Sequence, residues 1–151
     1  MSCEEFKIIE SDVTANFTDA LVQDAKEDED VSMPADWTTC TINKCAISGV
    51  SIQSKQNLEF DLILWSKSAK GNTSLNLDNF VISLNFPVSS GKQIAAANQY
   101  YYEQDNLIPI KYNDDSNQSK IHCSIVNRSI TAKDAGVAGQ IKVRFVASPR
   151  L

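Results

Sequence analysis

The chain has one histidine, His122, and general acid–base catalysis would depend on it. It lies in the alternating run 121–125, and Ser124 follows two residues later. On a strand, these two side chains point to the same face. A catalytic imidazole needs an orienting acid and a nucleophile within hydrogen-bond reach, and no nucleophile motif surrounds Ser124. We therefore expect no catalytic residue and interpret His122 as a surface or intersubunit histidine.

Acidic side chains could form a second kind of catalytic site, because glycoside hydrolysis uses two carboxylates. Such a pair could be drawn from Glu59, Asp61, Glu103 and Asp105. Glu59 and Asp61 are two residues apart on one strand face, which is close enough in principle. A polar stripe on a half-exposed strand has the same pattern, so we predict that the protein is not an enzyme.

Two groups of side chains contain residue types that can ligate a metal ion. Cys40, Cys45, Cys123 and His122 are zinc-type ligands, but their spacing matches no common zinc motif. Residues 113–117 offer the oxygen atoms that calcium prefers, without the glycine and glutamate of an EF-hand loop. Asx residues also form turns by themselves. We expect buried thiols and an ordinary turn, with no metal and no cofactor.

Three consecutive tyrosines, Tyr100, Tyr101 and Tyr102, form the most unusual local sequence. Tyrosine combines a large apolar area with a polar tip, which suits an interface or a sugar-binding platform. A strand with tyrosines on both faces would have the same sequence. Core and interface therefore both remain open, and we include all three among the interface candidates.

The hydrophobic pattern is that of β-strands through most of the chain. Residues 58–65, 80–86, 121–125 and 141–145 alternate apolar and polar positions, and shorter candidates accompany them. Turn-rich sequences separate many of these runs. About eight short strands predict one antiparallel β-sandwich of jelly-roll type over residues 37–151. The expected core consists of Phe60, Leu62, Leu64, Phe80, Ile82, Leu84, Ile121, Cys123, Ile125, Val143 and Phe145.

The acidity of the chain is concentrated at its N-terminal end. Residues 1–30 hold ten acids and two lysines, a balance of −8, against +3 for the remainder and −5 overall. Apolar residues punctuate this segment, which a purely solvated linker does not need. We expect residues 1–36 to form an acidic arm or partly ordered segment, of which residues 1–30 dock on a neighbouring subunit. The alternatives are a solvated segment and an edge strand on the chain's own sandwich. The interface candidates in the arm are Phe6, Ile8, Ile9, Phe17 and Leu21.

Several short motifs follow one another within residues 58–147. They are Phe-Pro at 86–87, Gly-Lys-Gln-Ile at 91–94, Tyr-Tyr at 101–102 and the run 120–146, which looks like a final hairpin. In this order they resemble the small β-sandwich virion proteins of tailed bacteriophages that decorate, or cement, the capsid. The resemblance implies a non-enzymatic protein that binds the outside of the major capsid shell.

Composition narrows the expected partners. A net charge of −5 disfavours nucleic-acid binding, which relies on lysine and arginine. No stretch approaches the roughly 18 apolar residues of a membrane span, and we expect no membrane association. The resemblance implies a structural virion protein on the capsid surface, assembled in the host cytoplasm. Its expected partners are the major capsid protein of a phage head and further copies of itself, as a trimer or dimer. The alternative is a carbohydrate- or receptor-binding β-sandwich module of a phage tail or fibre.

Overall fold

The computed structural model describes residues 11–34, 37, 44–94, 99–105, 108–111 and 120–150. Within these residues the chain forms ten strands and two 3-10 turns, at Val88–Ser90 and Gly136–Gly139. None of the helical turns in this part of the chain has the length and apolar character of a transmembrane helix. The strands are β1 Ser11–Phe17, β2 Lys26–Ser32, β3 Lys44–Ser54, β4 Phe60–Trp65, β5 Phe80–Phe86, β6 Lys92–Gln93, β7 Tyr100–Gln104, β8 Ile108–Lys111, β9 Lys120–Asn127 and β10 Ile141–Arg150.

The strands form two antiparallel sheets. The six-stranded sheet has the order β1-β10-β3-β7-β6, and β8 also pairs with β3; the four-stranded sheet has the order β2-β9-β4-β5. Four pairings nest inside one another: β1 with β10, β2 with β9, β3 with β7, and β4 with β5. The chain is thus a long antiparallel hairpin rolled into two sheets, which is a jelly roll. The predicted antiparallel, jelly-roll-like sandwich is confirmed, and the short β6 and β8 bring the strand number to ten.

The facing sides of the two sheets supply one continuous hydrophobic core. At its centre, Tyr102 packs edge-on against Phe60 and Phe86, with ring centroids 5.9 and 6.4 Å apart. Burying one large apolar side chain stabilises a fold by about 1.5–3 kcal/mol. Nine of the predicted core residues are buried: Phe60, Leu62, Leu64, Leu84, Ile121, Cys123, Ile125, Val143 and Phe145.

A β-bulge in β5 corrects one core prediction. Leu64 pairs with Ile82 but Trp65 pairs with Phe80, so Val81 is skipped. The skipped residue reverses the alternation, which turns Phe80 to the outer face. There it is 43% exposed and packs edge-on against Trp65, with ring centroids 6.1 Å apart. Phe80 is therefore not a core residue, and Ile82 is only partly buried against the core.

A second bulge, in β3, decides which residues of that strand face outward. The pairing with β10 shifts at Ser48. Ile47 and Val50 are three residues apart, yet both are buried in the core, because the bulge reverses the alternation. The outer face of β3 after the bulge consequently carries Gly49 and Ser51, two small residues.

The acidic segment belongs to the sandwich from residue 11 onward. β1 pairs along its length with β10, and β2 pairs along its length with β9. Phe17 and Leu21 are 0% and 4% exposed in the chain's own core, so they are not interface residues. The expectation of a docking arm is therefore wrong for residues 11–32. The alternative of an edge strand is confirmed there, since β1 and β2 each end a sheet. The other arm candidates lie outside the described residues: Phe6, Ile8 and Ile9.

Buried polar side chains close the end of the sandwich where β1 turns into β2. Asn127 is fully buried and donates hydrogen bonds to the carbonyl oxygens of Leu21 and Thr131, both at 3.0 Å. Lys133 is 1% exposed and donates to the carbonyl oxygen of Asp19. Burial lowers the pKa of this lysine. These groups anchor the turn, because each donates hydrogen bonds to backbone carbonyl groups of the connecting segments.

Candidate functional site

The outer face of the four-stranded sheet carries the histidine. Asp30 of β2, His122 of β9 and Trp65 of β4 lie in one row across the strands. His122 Nδ1 is 2.8 Å from Asp30 Oδ1, and Ser68 donates its hydroxyl hydrogen to Asp30 Oδ2 at 2.6 Å. Ser68 thus hydrogen-bonds the acid, whereas in a Ser-His-Asp triad the serine bonds the imidazole.

The carboxyl group of Asp30 is held in its charged form. Burial raises the pKa of Asp30, whereas the hydrogen bonds from Ser68 and His122 lower it. Electrostatic interactions with His122 and Lys120 lower the pKa further, and the net result is a lowered pKa. The group therefore ties β2 to β9 as an ionised acceptor.

The interpretation of His122 as a surface or intersubunit residue is wrong, because it is only 2% exposed. The segment after β4 extends across β9 towards β2. Ser68 bonds Asp30, and Lys70 Nζ lies 3.5 Å from Glu29 Oε1. The segment after β4 therefore covers the imidazole. This cover could not be predicted from the local sequence, because it depends on contacts between distant residues.

A second polar row lies beside the first. Ser124 is fully buried, donates a hydrogen bond to Asp28 Oδ1 and accepts one from Trp65 Nε1 at 2.9 Å. Lys26 Nζ lies 2.6 Å from the Asp28 carboxylate. The outer face of the four-stranded sheet is therefore largely occupied by the chain's own polar network.

The acidic pair proposed for hydrolysis is a polar stripe on the same sheet. Asn85 donates to both Glu59 Oε2 and Asp61 Oδ1 at 2.8 Å, and Arg128 Nε donates to Asp61 Oδ2 at 2.7 Å. Both oxygens of Asp61 thus accept hydrogen bonds from the chain's own side chains. The other two candidate acids, Glu103 and Asp105, do not join this stripe, because they lie on the opposite sheet.

The two described cysteines, Cys45 and Cys123, are both buried. Burial raises the pKa of Cys123, and the nearby carboxylates of Glu29 and Asp30 raise it further. Among the described residues, no three metal-ligating side chains come together. Cys40 and residues 113–117 lie outside the described residues.

The three tyrosines occupy three environments. Tyr102 is fully buried, and its hydroxyl lies 2.7 Å from Asn57 Oδ1 and 2.8 Å from the Leu58 carbonyl oxygen. Burial raises its pKa to about 12. It is a core residue, so its prediction as an interface residue is wrong. Tyr100 packs partly against the core, whereas Tyr101 faces outward from the six-stranded sheet.

An open groove runs along β3 on that outer face. Its floor consists of Gly49, Ser51 and Gln53. The flanking strands carry larger side chains directly beside them, since Gln53 pairs with Lys142 on one side and Tyr101 on the other. A central strand of smaller residues between larger neighbours makes the depression. The walls are Lys142, Arg144 and Val146 from β10, and Tyr101 and Glu103 from β7.

The groove has a wide end and a narrow end. The wide end encloses about 250 Å³ beside Ser54 and Lys55. The neighbouring sections enclose about 120 and 60 Å³ and share wall residues with it. From Gly49 to Lys55 the floor spans six residue steps, or about 20 Å at 3.3 Å per step.

Charge is distributed unevenly along the groove. The wide end is lined by Lys55 and Lys142 among glutamine side chains, with no carboxylate among its described lining residues. Arg144 lies in the middle section. The narrow end is lined by two acids, Glu103 and Asp105, together with Arg144. Among the described lining residues, the wide end therefore carries only positive charge, whereas acids outnumber bases at the narrow end.

Sequence reasoning did not find this groove. The one available signal is the alternation in residues 141–145, which places Lys142 and Arg144 on a common face. The identity of the strands beside β10 depends on pairings between residues distant in the chain. The position of the bulge at Ser48 was also not predictable from the local pattern.

Comparison with known proteins gives no family for the chain. No family model and no curated protein matches it. Among solved structures, one titled Desmodium yellow mottle tymovirus matches with 10% identity and a TM-score of 0.30, covering 95% of this chain and 89% of that one. A structure of the empty head of turnip yellow mosaic virus matches with 8% identity and a TM-score of 0.28, covering 95% and 83%. Likenesses at this level carry no conclusion about function.

Proposed function

We propose that the protein is a non-enzymatic structural protein that docks the groove face of its six-stranded sheet on a partner. The observation that carries this proposal is the contrast between the two outer faces. On the four-stranded sheet, His122 and Ser124 are buried beneath the chain's own network. On the six-stranded sheet, the groove is open and lined by exposed side chains such as Gln53, Lys142 and Arg144.

The fold is compatible with this role. Jelly rolls form viral capsid domains and lectin domains, and neither use depends on a catalytic centre within the sandwich. A fold by itself does not determine function, so this support is an analogy. The analogy favours functions in which the protein binds a partner through an exposed sheet face or a cluster of loops.

The finer proposal is a capsid decoration protein that binds the outside of a phage head and stabilises the shell. It rests on the motif order within residues 58–147, which resembles such proteins. The partner is then the major capsid protein, and copies of this chain associate as a dimer or trimer on the shell. A polar, charged docking face suits a protein that joins a preassembled shell, because charged groups at an interface steer the two partners together. The location is the virion surface after assembly in the host cytoplasm.

Mixing the purified protein with empty phage heads tests this proposal. We expect the protein to pellet with the heads and to add density at repeated positions in negative-stain images. A K55Q/K142Q/R144Q variant should remain in the supernatant. The K26Q/K70Q variant removes exposed lysines from the opposite side and should still bind. Failure of the unmodified protein to bind any phage head would refute the decoration role.

A second candidate is binding of carbohydrate, as in a tail or fibre module. The wide end of the groove favours it, because Gln53, Gln99 and Gln140 can hydrogen-bond sugar hydroxyls there. The ring of Tyr101 borders the next section and could stack on a sugar. Binding of a neutral oligosaccharide on a glycan array, lost in Y101A and in Q53A, would favour this function over decoration.

A further inference from the structure

We propose that the groove binds an extended, acidic segment of a partner protein, with the partner's carboxylates at the wide end. This inference rests on the proposed function and names the chemistry of the segment that docks. Three observations carry it: the shape of the floor, the placement of charge and the length of the groove.

The floor admits a polypeptide backbone. Gly49 has no side chain, and Ser51 is small and only 9% exposed between Arg144 and Glu103. The walls on both sides are long side chains that can hydrogen-bond, among them Arg144 and Tyr101. An extended chain lying along β3 could hydrogen-bond its backbone to these polar tips, while its side chains alternate between the groove and the solvent.

The charge at the wide end selects for carboxylates. Lys55 and Lys142 both line it, and Arg144 continues the positive charge into the middle section. Arg144 Nη1 is 3.9 Å from Asp12 Oδ2, at the limit of an ion pair, and more than half of its side chain is exposed. Lysine and arginine near the surface attract carboxylates and fix their position, with arginine able to bind in a bidentate manner.

The length and polarity of the groove define the segment. About 20 Å accommodates roughly six extended residues. Glu103 and Asp105 at the narrow end disfavour further carboxylates there. We therefore commit to a segment of about six residues whose acids lie at one end, over the lysines. A second copy of β2 is disfavoured as the occupant, because Asp28 and Asp30 already have partners within their own chain.

Nuclear magnetic resonance titration with a synthetic peptide tests the inference. The probe is acetyl-Glu-Glu-Glu-Ser-Ser-Ser-amide, in which the three carboxylates lie at one end of an extended chain. The comparison peptide has glutamine in place of glutamate. We expect the acidic peptide to shift the backbone amide signals of β3, β7 and β10, and not those of β2 and β9. The glutamine peptide should bind at least tenfold more weakly.

Two matched variants locate the site. K55Q/K142Q should weaken binding of the acidic peptide about tenfold, since an exposed ion pair contributes up to about a fivefold change. K26Q/K70Q removes the same charge elsewhere and should leave the affinity unchanged. Raising the salt to about 1 M should abolish most of the difference between the two peptides.

Several outcomes overturn the inference. They are equal binding by K55Q/K142Q and the unmodified protein, signal shifts confined to the four-stranded sheet, and tighter binding of a neutral oligosaccharide in the groove. If K55Q/K142Q still decorates phage heads while the peptide fails to bind, the inference is wrong and the proposed function stands. If the peptide binds in the groove but no phage head is decorated, the decoration role fails and the groove remains a peptide site.

Discussion

His122 of β9 and Asp30 of β2, 92 positions apart in the chain, form a mostly buried ion-pair geometry with 2.8 Å between Nδ1 and Oδ1. This contact explains how an acidic sequence such as Lys-Glu-Asp-Glu-Asp becomes a strand. Aspartate is disfavoured in strands by intrinsic propensity. Here the histidine, Ser68 and Ser124 supply hydrogen bonds that compensate the aspartates on the outer face.

Replacing Asp30 should make stability less sensitive to acid. The folded-state pKa of Asp30 is lowered, so its charged form stabilises the fold above its unfolded pKa of about 3.8, and this contribution is lost as the pH falls through the lower, folded value. We expect D30N to be less stable than the unmodified protein at pH 7 by about 2 kcal/mol, because it loses hydrogen bonds to a charged group. Urea unfolding at pH 7, 5, 4 and 2.5 should show that the difference in free energy of unfolding between D30N and the unmodified protein narrows below pH 4. D12N serves as the control, because the Asp12 side chain is 57% exposed. Its free energy of unfolding should differ little from that of the unmodified protein. A difference between D30N and the unmodified protein that is the same at every pH would contradict the lowered pKa of Asp30.

Removing residues 1–30 should prevent folding. The truncation deletes β1 and the first five residues of β2, and with them Phe17 and Leu21 from the core. Each large apolar side chain contributes about 1.5–3 kcal/mol, while a whole domain is stable by only about 5–15 kcal/mol. Circular dichroism and size-exclusion chromatography should show an unfolded or aggregated product. A folded, monomeric truncated protein would restore the docking-arm hypothesis.

Adding a methyl group at Gly139 should be strongly destabilising. A Cβ there would overlap the backbone carbonyl of Asp134 and lie 2.8 Å from its Cα. Backbone cannot move aside as a flexible side chain can, so we expect G139A to lose about 3 kcal/mol. For a domain of this size, that corresponds to a fall in Tm of about 10 °C. G49A is the matched control, because its Cβ would meet only ordinary contacts at 3.6 and 3.9 Å. Equal melting temperatures for G139A and G49A would rule out the close approach of residues 134 and 139.

Cys123 should resist alkylation in the folded protein. Burial raises its pKa, and only the thiolate reacts with iodoacetamide. Peptide mass spectrometry after treatment at pH 8 should find Cys123 unmodified in buffer and fully modified in guanidinium chloride. A cysteine introduced at an exposed position by S74C should react rapidly under both conditions. Rapid modification of Cys123 in buffer would mean that β9 is not covered on its inner face.

The fold class and nine of the buried core residues could be predicted from the amino-acid sequence. Residues 121–125 and 141–145 alternate with a period of two, which is a local property of the chain, so Ile121, Ile125, Val143 and Phe145 could be assigned to the core. The absence of long helical patterns and the frequent turns predicted an antiparallel sandwich for the same reason. These inferences need only neighbouring residues, and the structure confirms them.

The tertiary structure alone decided the features that depend on distant partners. β2 could not be predicted as a strand, because its acids are compensated by groups on β9 and on the segment after β4. Phe80 could not be placed outside, because a single skipped residue, Val81, reverses the alternation only in the pairing with β4. The groove likewise needs β3 between β10 and β7, with a bulge at Ser48. Hydrophobic periodicity is local, whereas strand order, register and charge compensation arise from contacts between residues that lie far apart in sequence.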